Sequence, residues 1–191
     1  EFMIMNKSLL ISAVVSVLLA IILIPMIIFK PWISIDPLYV GGKLLYLRVT
    51  EPIIYEQVIY SSKSQSGDIT TFRIKPINSN NELAVVNVEL TNNSISPVKV
   101  LIGEKSTELL SMKQGVYSPL NSVLSSKPVD SNEEINVIRF IPLWGSFDLF
   151  SREMVKGSMV FEVPANSVFA QFSWMASDSI TISYKKWDSD G

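Results

Sequence analysis

The residues closest to a chemical motif in this sequence are acidic. Glu133-Glu134 are adjacent, Asp188-Ser189-Asp190-Gly191 form a short acidic run, and Asp148 and Asp178 sit among aromatic residues. Paired carboxylates can divide general acid and general base roles. Neighbours on a strand point to opposite faces, however, so Glu133 and Glu134 read as a solvated pair in a polar loop. The run at 188–191 has the opening spacing of a calcium loop without room for the later ligands, and reads as a tail. Asp148 and Asp178 are expected to cap turns.

Two absences narrow the chemistry further. The chain contains no Cys and no His. No thiol nucleophile, disulfide or thiolate metal site can be built, and the commonest general base and transition-metal ligand are missing. A copper-binding sandwich of the His/Cys kind is excluded for the same reason. There is no gly-x-ser-x-gly elbow, and no spacing points to a Ser–Lys dyad. Gly41-Gly42-Lys43 is too short for a phosphate loop and reads as a flexible turn into a strand. The seven Met read as core and anchor filler. No catalytic residue, no metal site and no cofactor is expected. A net charge of −2 gives no reason to expect nucleic acid as a partner.

The elements that would position any site fall into two parts. Apolar residues make up 48% of the chain and charged ones 18%, below the usual charged share of about 25%. Part of the deficit is one block, Leu9–Phe29, which carries no charge over 21 residues. At about 1.5 Å per residue it spans roughly the 30 Å of a bilayer core. It is too long for a signal-peptide core and offers no small-residue cleavage site. Residues 9–30 are therefore expected to form an uncleaved transmembrane helix. Lys7, Lys30 and Trp32 are placed as anchors at the membrane interface. Residues 1–8 form a short flank, in which Glu1-Phe2 ahead of Met3 reads as a cloning remnant. The Lys and Arg balance is nearly even, and the short flank favours export of residues 31–187.

Beyond Trp32 the pattern changes to period two. Val86, Val88 and Leu90 alternate with Asn87 and Glu89; Met159, Phe161 and Val163 with Val160 and Glu162. Val168–Trp174 and Ile180–Tyr184 alternate likewise, and shorter β-rich runs cover 43–49, 53–60, 69–75 and 135–141. Polar breakers separate them at 61–68, 78–81, 92–97 and 164–167, and 118–134 reads as a long polar loop. The one weak helical candidate is Glu104–Met112. Seven to nine such strands predict an all-β, immunoglobulin-like antiparallel sandwich of two sheets behind the anchor.

Glu82–Val100 (ELAVVNVELTNNSISPVKV), Leu109–Pro119 (LLSMKQGVYSP) and Met154–Pro164 (MVKGSMVFEVP) resemble, in this order, three segments of a family of small exported proteins. That family is the domain-of-unknown-function 4352 group, with a telokin-like, immunoglobulin-type sandwich. Lys113 stands where the family more often has an acidic residue. The resemblance spans about 81–174 and implies an exported, membrane-attached sandwich, most of whose relatives have no known activity. A helix in place of a lipidated Cys, and the added region 33–77, depart from the family pattern.

Two features concern partners. Ser12, Ser16 and Ala20 fall on one face of the anchor and offer a helix-packing surface. Leu143–Phe150 (LWGSFDLF) is aromatic-rich: exposed, its Trp144, Phe147 and Phe150 would form a docking surface; buried, the stretch is a bent core strand. Asn92-Asn93-Ser94 and Asn6-Lys7-Ser8 match the N-glycosylation pattern, the first in an expected turn. The sequence thus reads as a membrane-anchored, non-catalytic interaction module. It is expected to touch the bilayer and other membrane proteins as an accessory subunit of a larger complex. A pilin-like filament subunit and a solute-binding sandwich are the alternatives.

Overall fold

The computed structural model describes residues 38–129 and 138–184. The expected anchor at 9–30 lies outside the described residues. So do the flank at 1–8, the residues Lys7, Lys30, Trp32, Ser12, Ser16 and Ala20, the pair Glu133-Glu134, and the tail.

The described chain is all β, with no helix among the described residues. In order come β1 (Leu38–Gly41), β2 (Leu45–Val49), β3 (Ile53–Tyr55), β4 (Val58–Lys63) and β5 (Ile69–Ile74). They are followed by β6 (Asn81–Asn92), β7 (Val98–Ile102), β8 (Thr107–Ser111), β9 (Val116–Tyr117) and β10 (Ser126–Val129). The last are β11 (Ile138–Arg139), β12 (Gly145–Leu149), β13 (Met154–Pro164), β14 (Phe169–Trp174) and β15 (Ile180–Ser183).

The longest strand, β6, organises the rest. It pairs antiparallel with β13 over its whole length on one edge, and with β2 and then β3 on the other. β1 adds to β2. One face of this central sheet, carrying Leu45, Leu47, Val49, Ala84, Val86, Val88, Leu90, Met159, Phe161 and Val163, is fully buried. Packed against it in one common core are the pair β12–β7 and the sheet β15–β14–β8–β9. Phe161 and Phe172 meet edge to face across that core, their ring centroids 6.3 Å apart. Trp174, also fully buried, donates its indole N–H to the Ala176 carbonyl at 2.8 Å. This is the β-sandwich that the alternation predicts.

The architecture departs from two sheets in two respects: the layer facing the central sheet is split into β12–β7 and β15–β14–β8–β9, and a further sheet covers the other face. β4, β5, β10 and β11 form a further sheet, in the order β10–β5–β4–β11. A second, smaller core joins it to the opposite face of the central sheet, where Leu83, Val85 and Val160 meet Val58, Tyr60, Ile74 and Phe140. Tyr60 stacks on Phe72 at 5.2 Å, and its hydroxyl reaches the Ser122 carbonyl at 3.1 Å.

Several local expectations need correction. The run 53–60 is two strands in two sheets, because Glu56 and Gln57 interrupt it and β4 turns away to pair with β5. Glu104–Met112 is a turn followed by β8, whose Thr107, Leu109 and Ser111 are buried at period two. The polar loop 118–134 contains β10, an edge strand that tolerates Pro128 because an edge has one free side.

Candidate functional site

An open groove of about 420 Å³ lies on the outer face of the central sheet, where the second core ends. Along β6 the outward residues begin as Leu83 and Val85, which are buried, and continue as Asn87 and Glu89, which line the groove. The floor is a ladder of rungs set by strand register. Arg48 of β2 and Lys156 of β13 both stand directly opposite Glu89 of β6. Lys156 Nζ lies 2.8 Å from Glu89 Oε2 and Arg48 Nη1 lies 3.6 Å from the same oxygen. Both cations are substantially exposed, at 60% and 43% of the side chain, while Glu89 is at 19%.

A neutral polar rung lies beside it. The Ser158 hydroxyl donates to Asn87 Oδ1 at 2.7 Å, and Asn87 N donates to Thr50 Oγ1 at 3.2 Å. Ser158 is almost fully buried, so this bond satisfies a hydroxyl that would otherwise be costly there.

The wall of the groove is Arg139, Phe140 and Ile141, a segment that ties the sheet of β4 and β5 to the central sheet. Phe140 N donates to Ile59 O of β4, and Ser158 N of β13 donates to Ile141 O. Leu143 N returns a bond to Ser158 O. Gly157 permits this approach: a Cβ there would stand 2.8 Å from Leu143 Cβ and 3.0 Å from Ile141 O. Phe140 is anchored in the smaller core, whereas Ile141 is exposed. The groove thus combines exposed cations, one carboxylate, an amide and an apolar lip. These groups can bind; they do not converge two carboxylates or a nucleophile–base pair on one point.

Among the described residues no cluster of three or more Asp or Glu has metal-site geometry. The acids expected to act as caps divide. Asp178 caps a turn: its Oδ2 accepts from Leu44 N at 2.7 Å and Leu45 N at 3.0 Å, and its Oδ1 from Ser179 N at 2.9 Å. Burial raises the pKa of this carboxyl, but these amide bonds, with one from Lys43, outweigh burial and leave it lowered. Gly42 is needed in that turn because any Cβ would collide with the Asp178 carboxylate. Asp148 is instead a mid-strand residue, exposed and opposite Lys99. Its expected role falls to Glu153, which accepts from Phe150 N at 2.8 Å. Glu162 was not singled out by sequence, yet it accepts from Ile77 N, Asn78 N and Asn81 Nδ2 at 3.0, 2.9 and 2.9 Å. Its pKa is also lowered: burial raises it and these bonds prevail.

The aromatic stretch Leu143–Phe150 is mostly strand β12, paired with β7. Leu143 and Leu149 are buried, Trp144 and Phe147 are half-buried against the main core, and Phe150 is exposed at 61%. Asn92 is fully buried, and its Nδ2 donates to Ser96 O and Leu149 O, both at 2.8 Å. Asn92 ends strand β6, opposite Leu45, instead of lying in the turn, and the amide that would carry a sugar is spent inside the fold. Asn6 lies outside the described residues. The groove residues Arg48, Asn87, Glu89, Arg139 and Lys156 were missed as a site. The one signal for them is the change along the outward positions of β6 from Leu and Val to Asn and Glu.

No family model and no curated protein sequence matches the chain. Among solved structures it is similar to a conserved hypothetical protein from Bacillus anthracis, at 14% identity and a TM-score of 0.46, over 78% of this chain and 93% of that one. It is similar to an uncharacterized β-sandwich protein from Clostridium difficile at 7% identity and a TM-score of 0.43, over 78% and 91%. A candidate lipoprotein from Bacillus subtilis aligns at 13% identity and a TM-score of 0.44, over 78% of this chain and 39% of its own.

Proposed function

We propose that this chain is a membrane-anchored, non-catalytic interaction module, an accessory subunit whose exported sandwich engages a neighbouring membrane protein. The observation that carries the reading is the open groove over Arg48, Glu89 and Lys156, whose groups suit recognition and leave no reacting centre among them. The uncharged run Leu9–Phe29 supports attachment to the bilayer, with Ser12, Ser16 and Ala20 available to partner helices. The domain is assigned to the telokin-like, immunoglobulin-type sandwiches. In support, the three family-like segments fall on β6–β7, β8–β9 and β13, which contribute to the main core.

Extraction of native membranes with a mild detergent tests the reading. The chain is expected to resist alkaline carbonate and to co-purify with at least one other membrane protein. Recovery as a lone monodisperse chain would sink it. A second reading, a solute-binding sandwich, is favoured by the volume of the groove, which lies within the small-ligand range of about 300–1,000 Å³. It predicts a thermal shift with a small anion in the absence of any partner.

A further inference from the structure

We infer that the groove receives an acidic side chain from an extended segment of the partner, and that Glu89 holds the acceptor position until that carboxylate arrives. The inference rests on the interaction-module reading and deepens it.

The charge count across the rung comes first. Arg48 and Lys156 together face one carboxylate, and both approach the same oxygen of it. A guanidinium has five N–H donors and an ammonium three, so most of their donor capacity remains for a second acceptor. Arg139 also lines the wall but has an interaction of its own, so the excess rests on Arg48 and Lys156. A carboxylate that competes with Glu89 for these donors would gain charge-assisted bonds from two cations that strand pairing sets in one row.

Shape selects the carrier of that carboxylate. The groove runs open across β2, β6 and β13 rather than closing around a ligand, so much of any occupant stays outside it. That suits a stretch of polypeptide continuing beyond both ends. Ile141, exposed at 70%, and the aliphatic stems of Arg48 and Lys156 supply contact for the apolar part of such a stretch. One acidic side chain matches the excess of one positive charge that Arg48 and Lys156 hold over Glu89.

The test uses the full chain in nonionic detergent micelles and fluorescein-labelled hexaglutamate, followed by anisotropy at low salt. Hexaglutamate is expected to bind and labelled hexalysine is not. The double variant Arg48→Gln/Lys156→Gln, with its fold checked by circular dichroism, is expected to bind about tenfold or more weakly. Glu89→Gln is expected to tighten binding several-fold, because it removes the resident competitor. A merely structural Glu89 would give unchanged or weaker binding, and that result overturns the inference. So does an absence of hexaglutamate binding, or competition by succinate as effective as by unlabelled hexaglutamate, which would make the occupant a small dicarboxylate.

Co-purification separates this inference from the reading beneath it. If the wild type carries a partner and the double variant carries it equally well, the groove assignment fails and the module stands. If the wild type carries none, the module reading fails whatever the titration gives.

Discussion

The two faces of strand β6 share one backbone and one set of neighbours, yet they do different work. The inward face, Ala84, Val86, Val88 and Leu90, is apolar throughout and buried throughout. The outward face is apolar at Leu83 and Val85, beneath the sheet of β4 and β5, and polar at Asn87 and Glu89, where that sheet no longer covers it. Stability is concentrated on the inward face. The outward half that contributes least to the core is the half free to carry charge without weakening the interior.

Substitutions on the two faces should therefore separate by magnitude. Phe161→Ala, at the centre of the inward core, is expected to cost about 3–5 kcal/mol in urea unfolding. Asn92→Ala, at the buried end of β6, strips two carbonyls of their donor and is expected to cost about 2–3 kcal/mol. The wild-type protein made in a glycosylating host should show no added mass at Asn92.

Asp178→Ala is expected to cost about 1–2 kcal/mol. Its contribution also has a definite pH dependence. The folded carboxyl has a lowered pKa, so the folded state binds that proton less readily than the unfolded chain. The stabilisation is complete above the ordinary carboxylate range and is lost as pH falls through the folded value. Glu162 acts in the same direction. Thermal melts from neutral to acid pH should fall more shallowly in Asp178→Asn than in the wild type.

Smaller effects sharpen the contrast. Tyr184 packs against the main core with its hydroxyl buried and making no hydrogen bond among the described residues. Burial, and secondarily Glu51, push its pKa up. Tyr184→Phe is expected to stabilise by up to about 1 kcal/mol, measured by the same urea titration. Glu89→Gln is expected to change stability by no more than about 0.5 kcal/mol, because its two partners are largely exposed. A large loss there would place the rung with the core and erase the difference between the faces.

Much of the inward face was legible in the sequence because alternation reports burial directly. β6, β13, β14 and β15 follow from Val86-x-Val88-x-Leu90, Met159-x-Phe161-x-Val163 and their later counterparts. The outer sheet was less legible. β10 carries two exposed residues, Lys127 and Pro128, a pattern indistinguishable from a polar loop until β5 is seen beside it. The split between β3 and β4 turns on which sheet each joins, a tertiary choice that local propensity does not encode. The groove was least legible of all. Arg48, Glu89 and Lys156 are ordinary surface residues one at a time, and only the pairing of three strands puts them in a row. Asp178 was expected to cap a turn, but the turn it caps is not its own neighbour in sequence.

That capping contact has a consequence for how the chain is made. Leu44 and Asp178 are 134 positions apart. The β1–β2 hairpin is the first described element to be synthesised, and its turn stays without its acceptor until nearly all of the domain has been made. Closure of so long a loop is slow and gives little return until late. This sets an order of events: the turn of the N-terminal hairpin waits for its acceptor, and the arrival of Asp178, just ahead of β15, locks it.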